Sequence, residues 1–183
     1  LQRGYETAAR EAIKTAHETI DNKSPSEMTD DEMKKVIGAY VAADTAVGKL
    51  DDGRAKKTEL QAELAELKKT VEEIESKYAQ KVIESIWDDL KNGTQDKTKL
   101  EALKKTLDDL KDYIPDSLKE SYDQVVDAVQ AAIDAIDLVN EASALIKRLQ
   151  EEIKNGNVSE DTLKEVQDVI DRAGALVDKI KEN

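Results

Sequence analysis

The chain has 183 residues, of which 38% are charged and 3% aromatic, with a formal net charge of −13, no cysteine and no phenylalanine. Without cysteine there is no disulfide, thiolate metal site or cysteine nucleophile, and without a basic stripe there is no nucleic-acid or anionic-membrane surface. An apolar fraction of 39% lies below the about 45–50% usual in globular domains and is too small for a thick, round core. Yet Leu, Ile, Val and Ala fall in regular stripes, unlike the apolar residues of disordered segments.

Six helices are expected in chain order, at roughly 3–21, 30–50, 54–91, 97–113, 116–154 and 160–181, and no segment alternates with the period of a strand. Gly and Pro mark the breaks: Pro25 follows Asn22-Lys23-Ser24, Asp52-Gly53 ends the second segment, and Asn92-Gly93, Ile114-Pro115 and Asn155-Gly156 punctuate the rest. The second helix opens on Met28-Thr29-Asp30-Asp31-Glu32-Met33, a Thr cap with Glu three residues on and Met at both staple positions. Asp96 caps the fourth helix. Ser159 caps the sixth, with Val158 and Leu163 at the staple positions.

The third and fifth helices set the expected shape. Leu60, Leu64, Leu67, Val71, Ile74 and Tyr78 form a heptad seam. The seam then shifts to Val82, Ile86 and Leu90, with Ile83 and Trp87 alongside, which rotates the apolar face around the helix. The fifth helix runs similarly from Leu118, Tyr122, Val125 and Val129 through Ile136 to Ile146, Leu149 and Ile153, its seam rotating near Val139. At 1.5 Å per residue each spans about 55–60 Å, long enough to close one bundle and open the next.

An internal repeat supports that reading. At an offset of 63 residues Lys91-Asn92-Gly93 matches Lys154-Asn155-Gly156, and Leu100, Leu103, Leu107, Leu110 and Ile114 match Leu163, Val166, Ile170, Ala173 and Val177. At an offset of 67, Met33, Val36, Tyr40, Ala43 and Val47 match the same Leu100-to-Ile114 series. Repeats of this length mark arrays whose units bury their faces against neighbours. The expected fold is therefore all-α: an elongated series of tandem three-helix-bundle, spectrin-like repeats joined by long continuous helices. The expected units are 1–72, 73–135 and an incomplete third at 136–183.

Little in the sequence carries chemistry. His17, the single histidine, lies beside Ile13 and Ile20 with no metal-ligand spacing around it. The acidic pairs Asp30-Asp31, Asp51-Asp52, Asp88-Asp89, Asp108-Asp109 and Glu151-Glu152 lack the alternating ligands of a calcium loop. No nucleotide-binding or nucleophile-elbow motif is present. The expectation is no catalytic, cofactor-binding or metal site, and no cofactor. Tyr40, Tyr78 and Tyr122 are expected in the core and Trp87 at a bundle end. Three sequons begin at Asn22, Asn92 and Asn157, each in a loop where a glycan would be accessible and where turn and cap chemistry also selects these residue types.

Gly156-Asn157-Val158-Ser159-Glu160-Asp161-Thr162-Leu163-Lys164-Glu165-Val166 resembles the hairpin of FIVAR-type repeats. The stretch from Asn92-Gly93 to Tyr113-Ile114-Pro115-Asp116-Ser117-Leu118 is similar to helical parts of bacillary S-layer proteins. The resemblance covers about half the chain. It implies chained three-helix bundles serving as spacers, adhesin stalks or cell-wall-polymer binders of Gram-positive surfaces, although the basic surface of a wall-polymer binder is absent. The resulting expectation is a non-catalytic structural or adhesive module at the bacterial cell surface, a monomeric rod within a longer chain. Since the sequence begins at Leu1, a processed protein or an excised fragment is expected. Its partner would be a protein or a cell-surface glycan, with no nucleic acid and no membrane insertion. The alternative is a cytoplasmic helical scaffold for protein–protein interaction.

Overall fold

A computed structural model describes residues 1–93 and 96–182. The chain is all-helical: α1 (Gln2–Ile20), α2 (Asp30–Gly48), α3 (Ala55–Lys91), α4 (Lys97–Leu110), α5 (Lys119–Lys154) and α6 (Glu160–Glu182), with no strand among the described residues. The expected helices are all present. Two ends differ, because α4 stops at Leu110 and α5 starts at Lys119, with 3-10 turns at Lys111–Tyr113 and Asp116–Leu118 between them. Pro115 is the cause: it has no N–H to donate and it disfavours the helical region at Ile114.

The caps form as the sequence indicates. Thr29 Oγ1 accepts from Glu32 N at 3.1 Å while Glu32 Oε1 accepts from Thr29 N at 3.2 Å, a closed capping box. Asp96 accepts from Thr98 N at 2.9 Å, and Ser159 Oγ accepts from Thr162 N at 3.1 Å. At the end of α5, Asn157 N donates to Glu152 O and Gly156 N to Ile153 O, both at 3.0 Å. Gly156 supplies the left-handed turn (φ 73°) that this pair of bonds requires.

By backbone contacts the chain forms two compact units, a coarser division than the segments 1–72, 73–135 and 136–183. One comprises residues 1–84 with 112–119, the other 85–111 with 120–183.

In the first unit one core joins three helices: Ala9 and Ile13 of α1, Ala43, Ala46 and Val47 of α2, and Leu60 and Leu64 of α3, with Leu50 from the intervening loop. Ala9, Ala43 and Ala46 bring little side-chain bulk to this shared core. Burial on α3 then follows the heptad through Leu67, Val71, Ile74 and Tyr78 before moving on by one residue to Ala79, Ile83 and Ile86. The expected seam shift therefore shows in the packing, with Ile83 taking the inner place and Val82 half-buried.

Glu75 is half-buried on α3, and burial, reinforced by Glu72, pushes its carboxyl above the usual carboxylate range. A raised folded-state pKa means that folding favours the protonated form, so ionised Glu75 weakens the fold once the pH exceeds that pKa. Glu75→Gln is expected to raise the thermal midpoint at pH 8. The gain should shrink as the pH is lowered towards 4, as followed by circular dichroism.

In the second unit α4 and α5 run antiparallel. Tyr122 Oη donates to Leu107 O at 2.7 Å inside the core, and Lys104 and Lys97 on α4 reach Gln130 (2.9 Å) and Asp137 (2.6 Å) on α5. Leu100, Leu107 and Leu110 are buried here together with Val125 and Val129. The C-terminal part of α5 pairs with α6 through Glu141–Arg172, Arg148–Glu165 and Glu152–Thr162.

Candidate functional site

The sequence candidates for chemistry are dispersed. His17 is exposed on α1, and its carbonyl accepts the Asp21 N–H that closes the helix. Among the described residues no group of three His, Asp or Glu side chains is placed to hold a metal ion, and no helix is long and apolar enough to cross a membrane. Tyr78 and Tyr122 are buried, Tyr40 is half-buried, and Trp87 is half-buried near the end of α3. Burial, together with Asp44, Glu75 and Glu72, raises the Tyr40 hydroxyl above its ordinary value. Asn22, Asn92 and Asn157 are exposed, Asn22 in a left-handed conformation at φ 60°. Thr94, which completes the second sequon, lies outside the described residues, and the Ser159 hydroxyl of the third is held in the α6 cap.

What the structure does assemble is an apolar face on the α5–α6 hairpin. Of the nine exposed large hydrophobic residues among those described, seven lie here: Val139, Ile146 and Ile153 on α5, and Leu163, Ile170, Val177 and Ile180 on α6. Isolated exposed aliphatics are ordinary, whereas an aligned set marks a contact surface.

The hairpin's own register fixes where the set points. Thr162, 1% exposed, donates through Oγ1 to Glu152 Oε1 at 2.8 Å across the helices. The second Glu152 oxygen is out of solvent and has no partner. The Thr162 hydrogen bond is the main influence holding this carboxyl below the usual carboxylate range. Further along, Arg148 pairs with Glu165, and Arg172 pairs with Glu141 and, at 3.0 Å, with Asp168 on its own helix.

An α-helix turns about 100° per residue. On α5, Glu141 and Arg148 therefore sit about 40–60° to one side of buried Leu145, and Ile146 about 100° to the other. On α6, Glu165 and Arg172 stand in the same relation to half-buried Val169, and Ile170 to its other side. The ion pairs join the helices along one face, so the two apolar rows lie side by side on the opposite face. With half-buried Ala142 and Leu149, and Val166 and Ala173, they complete two heptad seams, 139-142-146-149-153 and 163-166-170-173-177.

Leu163, Ile170 and Val177 stand 63 residues after Leu100, Leu107 and Ile114, at matching positions of the heptad pattern. Leu100 and Leu107 are 0% and 1% exposed, whereas Leu163 and Ile170 are 55% and 58% exposed. The Ser159 cap forms, but the staple position Leu163 is uncovered. The signal for this was present in the sequence: α6 carries two adjacent seams, Thr162-Val166-Val169-Ala173-Leu176 and Leu163-Val166-Ile170-Ala173-Val177, and α5 can cover only one of them.

On the ion-pair side of the hairpin an open groove lies between Asp134, Asp137, Arg172 and Lys179, where charges of both signs stand together. No protein-family model, curated protein or solved structure matches the chain significantly.

Proposed function

We propose that the chain is a non-catalytic structural or adhesive module of a bacterial cell surface, in which tandem three-helix units joined through α3 and α5 serve as a spacer or ligand-binding stalk. The observation that supports this most is the pair of long helices, 37 and 36 residues, each left through a turn with a left-handed glycine, Gly93 and Gly156. Helices of that length serve reach and connection. The hairpin resemblance around Gly156–Val166 points the same way. A protein or a surface glycan is the ligand class this reading implies.

The test is accessibility on the producing cells. Antibodies raised against the chain are expected to label intact cells, and external protease to remove that label without lysis. Labelling only after permeabilisation would overturn the surface assignment. It would favour the second reading, an intracellular helical scaffold, which the uncovered face of α5 and α6 supports.

A further inference from the structure

We propose that the apolar face of the α5–α6 hairpin is covered by the same face of a second copy of this chain, forming a four-helix arrangement in which α5 of each copy lies on α6 of the other. The inference stands apart from the surface assignment, since it concerns the hairpin alone.

Three observations carry it. The first is shape. Each copy brings two parallel heptad seams, the pattern that packs side chains of one helix into the gaps of another. Val139, Ile146 and Ile153 alternate in height with Leu163, Ile170 and Val177, since Glu141–Arg172 and Arg148–Glu165 set the register. A two-fold axis parallel to the helices then places each α5 row between the rows of the opposing α6.

The second observation is charge. The outer edge of the face along α5 is formed by Ser143, Lys147, Gln150 and Lys154, with no carboxylate. The outer edge along α6 holds Glu160, Asp171 and Asp178, with two bases, Lys164 and Lys181, at its ends. Among the described residues neither Lys147 nor Lys154 has an ion-pair partner. The parallel two-fold sets the basic edge of each copy on the acidic edge of the other. A two-fold across the helices would instead set like edges together. A lone helix from elsewhere would need acidic residues on one flank and basic residues on the other; the second copy already has both in the right order.

The third observation is size. The face is about 26 Å long and about 20 Å wide from helix dimensions, so two copies bury somewhat more than about 1,000 Å², the lower bound for a specific interface.

Sedimentation of the full chain over a concentration series tests this directly. The expected result is a monomer–dimer equilibrium. Ile146→Asp/Ile170→Asp should abolish it while leaving the far-ultraviolet circular dichroism unchanged, because both positions are exposed in the folded monomer. Lys147→Glu/Lys154→Glu and Asp171→Lys/Asp178→Lys should each weaken self-association tenfold or more. Mixed one to one, those two variants should restore it, since both edges of the mixed pair are complementary. A wild-type chain that stays monomeric throughout overturns the proposal and assigns the face to a helix of another chain. Dimers that survive Ile146→Asp/Ile170→Asp place the contact elsewhere, and a mixture no stronger than its components overturns the two-fold arrangement.

Discussion

Leu100→Ala is expected to destabilise the protein by about 2–5 kcal/mol, while Leu163→Ala, at the matching position 63 residues on, changes stability by less than about 0.5 kcal/mol at concentrations where the chain is monomeric. Leu100 is 0% exposed among the α4–α5 core residues, so truncation both forfeits transfer free energy and leaves a cavity that rigid neighbours cannot close. Leu163 is 55% exposed, and truncating it removes atoms that already face water. The two substitutions are chemically identical and the two sites share loop, cap and heptad grammar, so the contrast isolates burial as the cause. Urea denaturation, compared at equal m-value, measures it. Similar losses at both sites would mean that the α6 face is covered within the monomer.

Glu84→Pro is expected to have a second large effect, about 3 kcal/mol or more, although Glu84 is exposed and its side chain packs against nothing in the core. The cost is entirely in the backbone. Proline removes the N–H that donates to Gln80 O and drives its ring against that carbonyl, two turns inside a helix that runs unbroken from Ala55 to Lys91. Glu84 is the last α3 residue of the first unit and Ser85 the first of the second, so the break falls where both units draw on one helix. Glu84→Ala, which removes the same charge and improves helix propensity, should be neutral or slightly stabilising. Amide hydrogen exchange should show faster exchange around residues 80–88 in the proline variant alone, with protection kept at Leu60 and Leu107.

Three of the helices were most legible because their starts carried their own local chemistry. Thr29, Asp96 and Ser159 satisfy orphan N–H groups, and Gly156 turns the chain left-handed, all within a few residues, so no tertiary knowledge was needed. The ends around Pro115 were less legible. A 3-10 turn and an α-helix share the same residue preferences over three positions, and only the hydrogen bonding of Lys111–Tyr113 and Asp116–Leu118 separates them.

The core of α3 could be read as far as its seam shift, since Tyr78 and Ile86 keep heptad spacing on either side. Which apolar rows would be left open could not. Ile146, Ile153, Leu163 and Ile170 have the spacing of core residues, and periodicity reports that a face is apolar without reporting what covers it. That information is tertiary: it depends on which helices are present to pack against α5 and α6. The doubled seam of α6 was the one local sign that a single neighbour would not suffice.

Trp87 is the only tryptophan, and it sits half-buried in the portion of α3 that belongs to the second unit, while the first unit contains tyrosine and no tryptophan. Emission excited above the tyrosine band therefore reports the melting of one unit alone, whereas ellipticity at 222 nm reports helices in both. The protein thus carries a built-in optical label on one half of its length. The separation between the two melting curves reads out how strongly the shared helix makes the two halves behave as a single cooperative body.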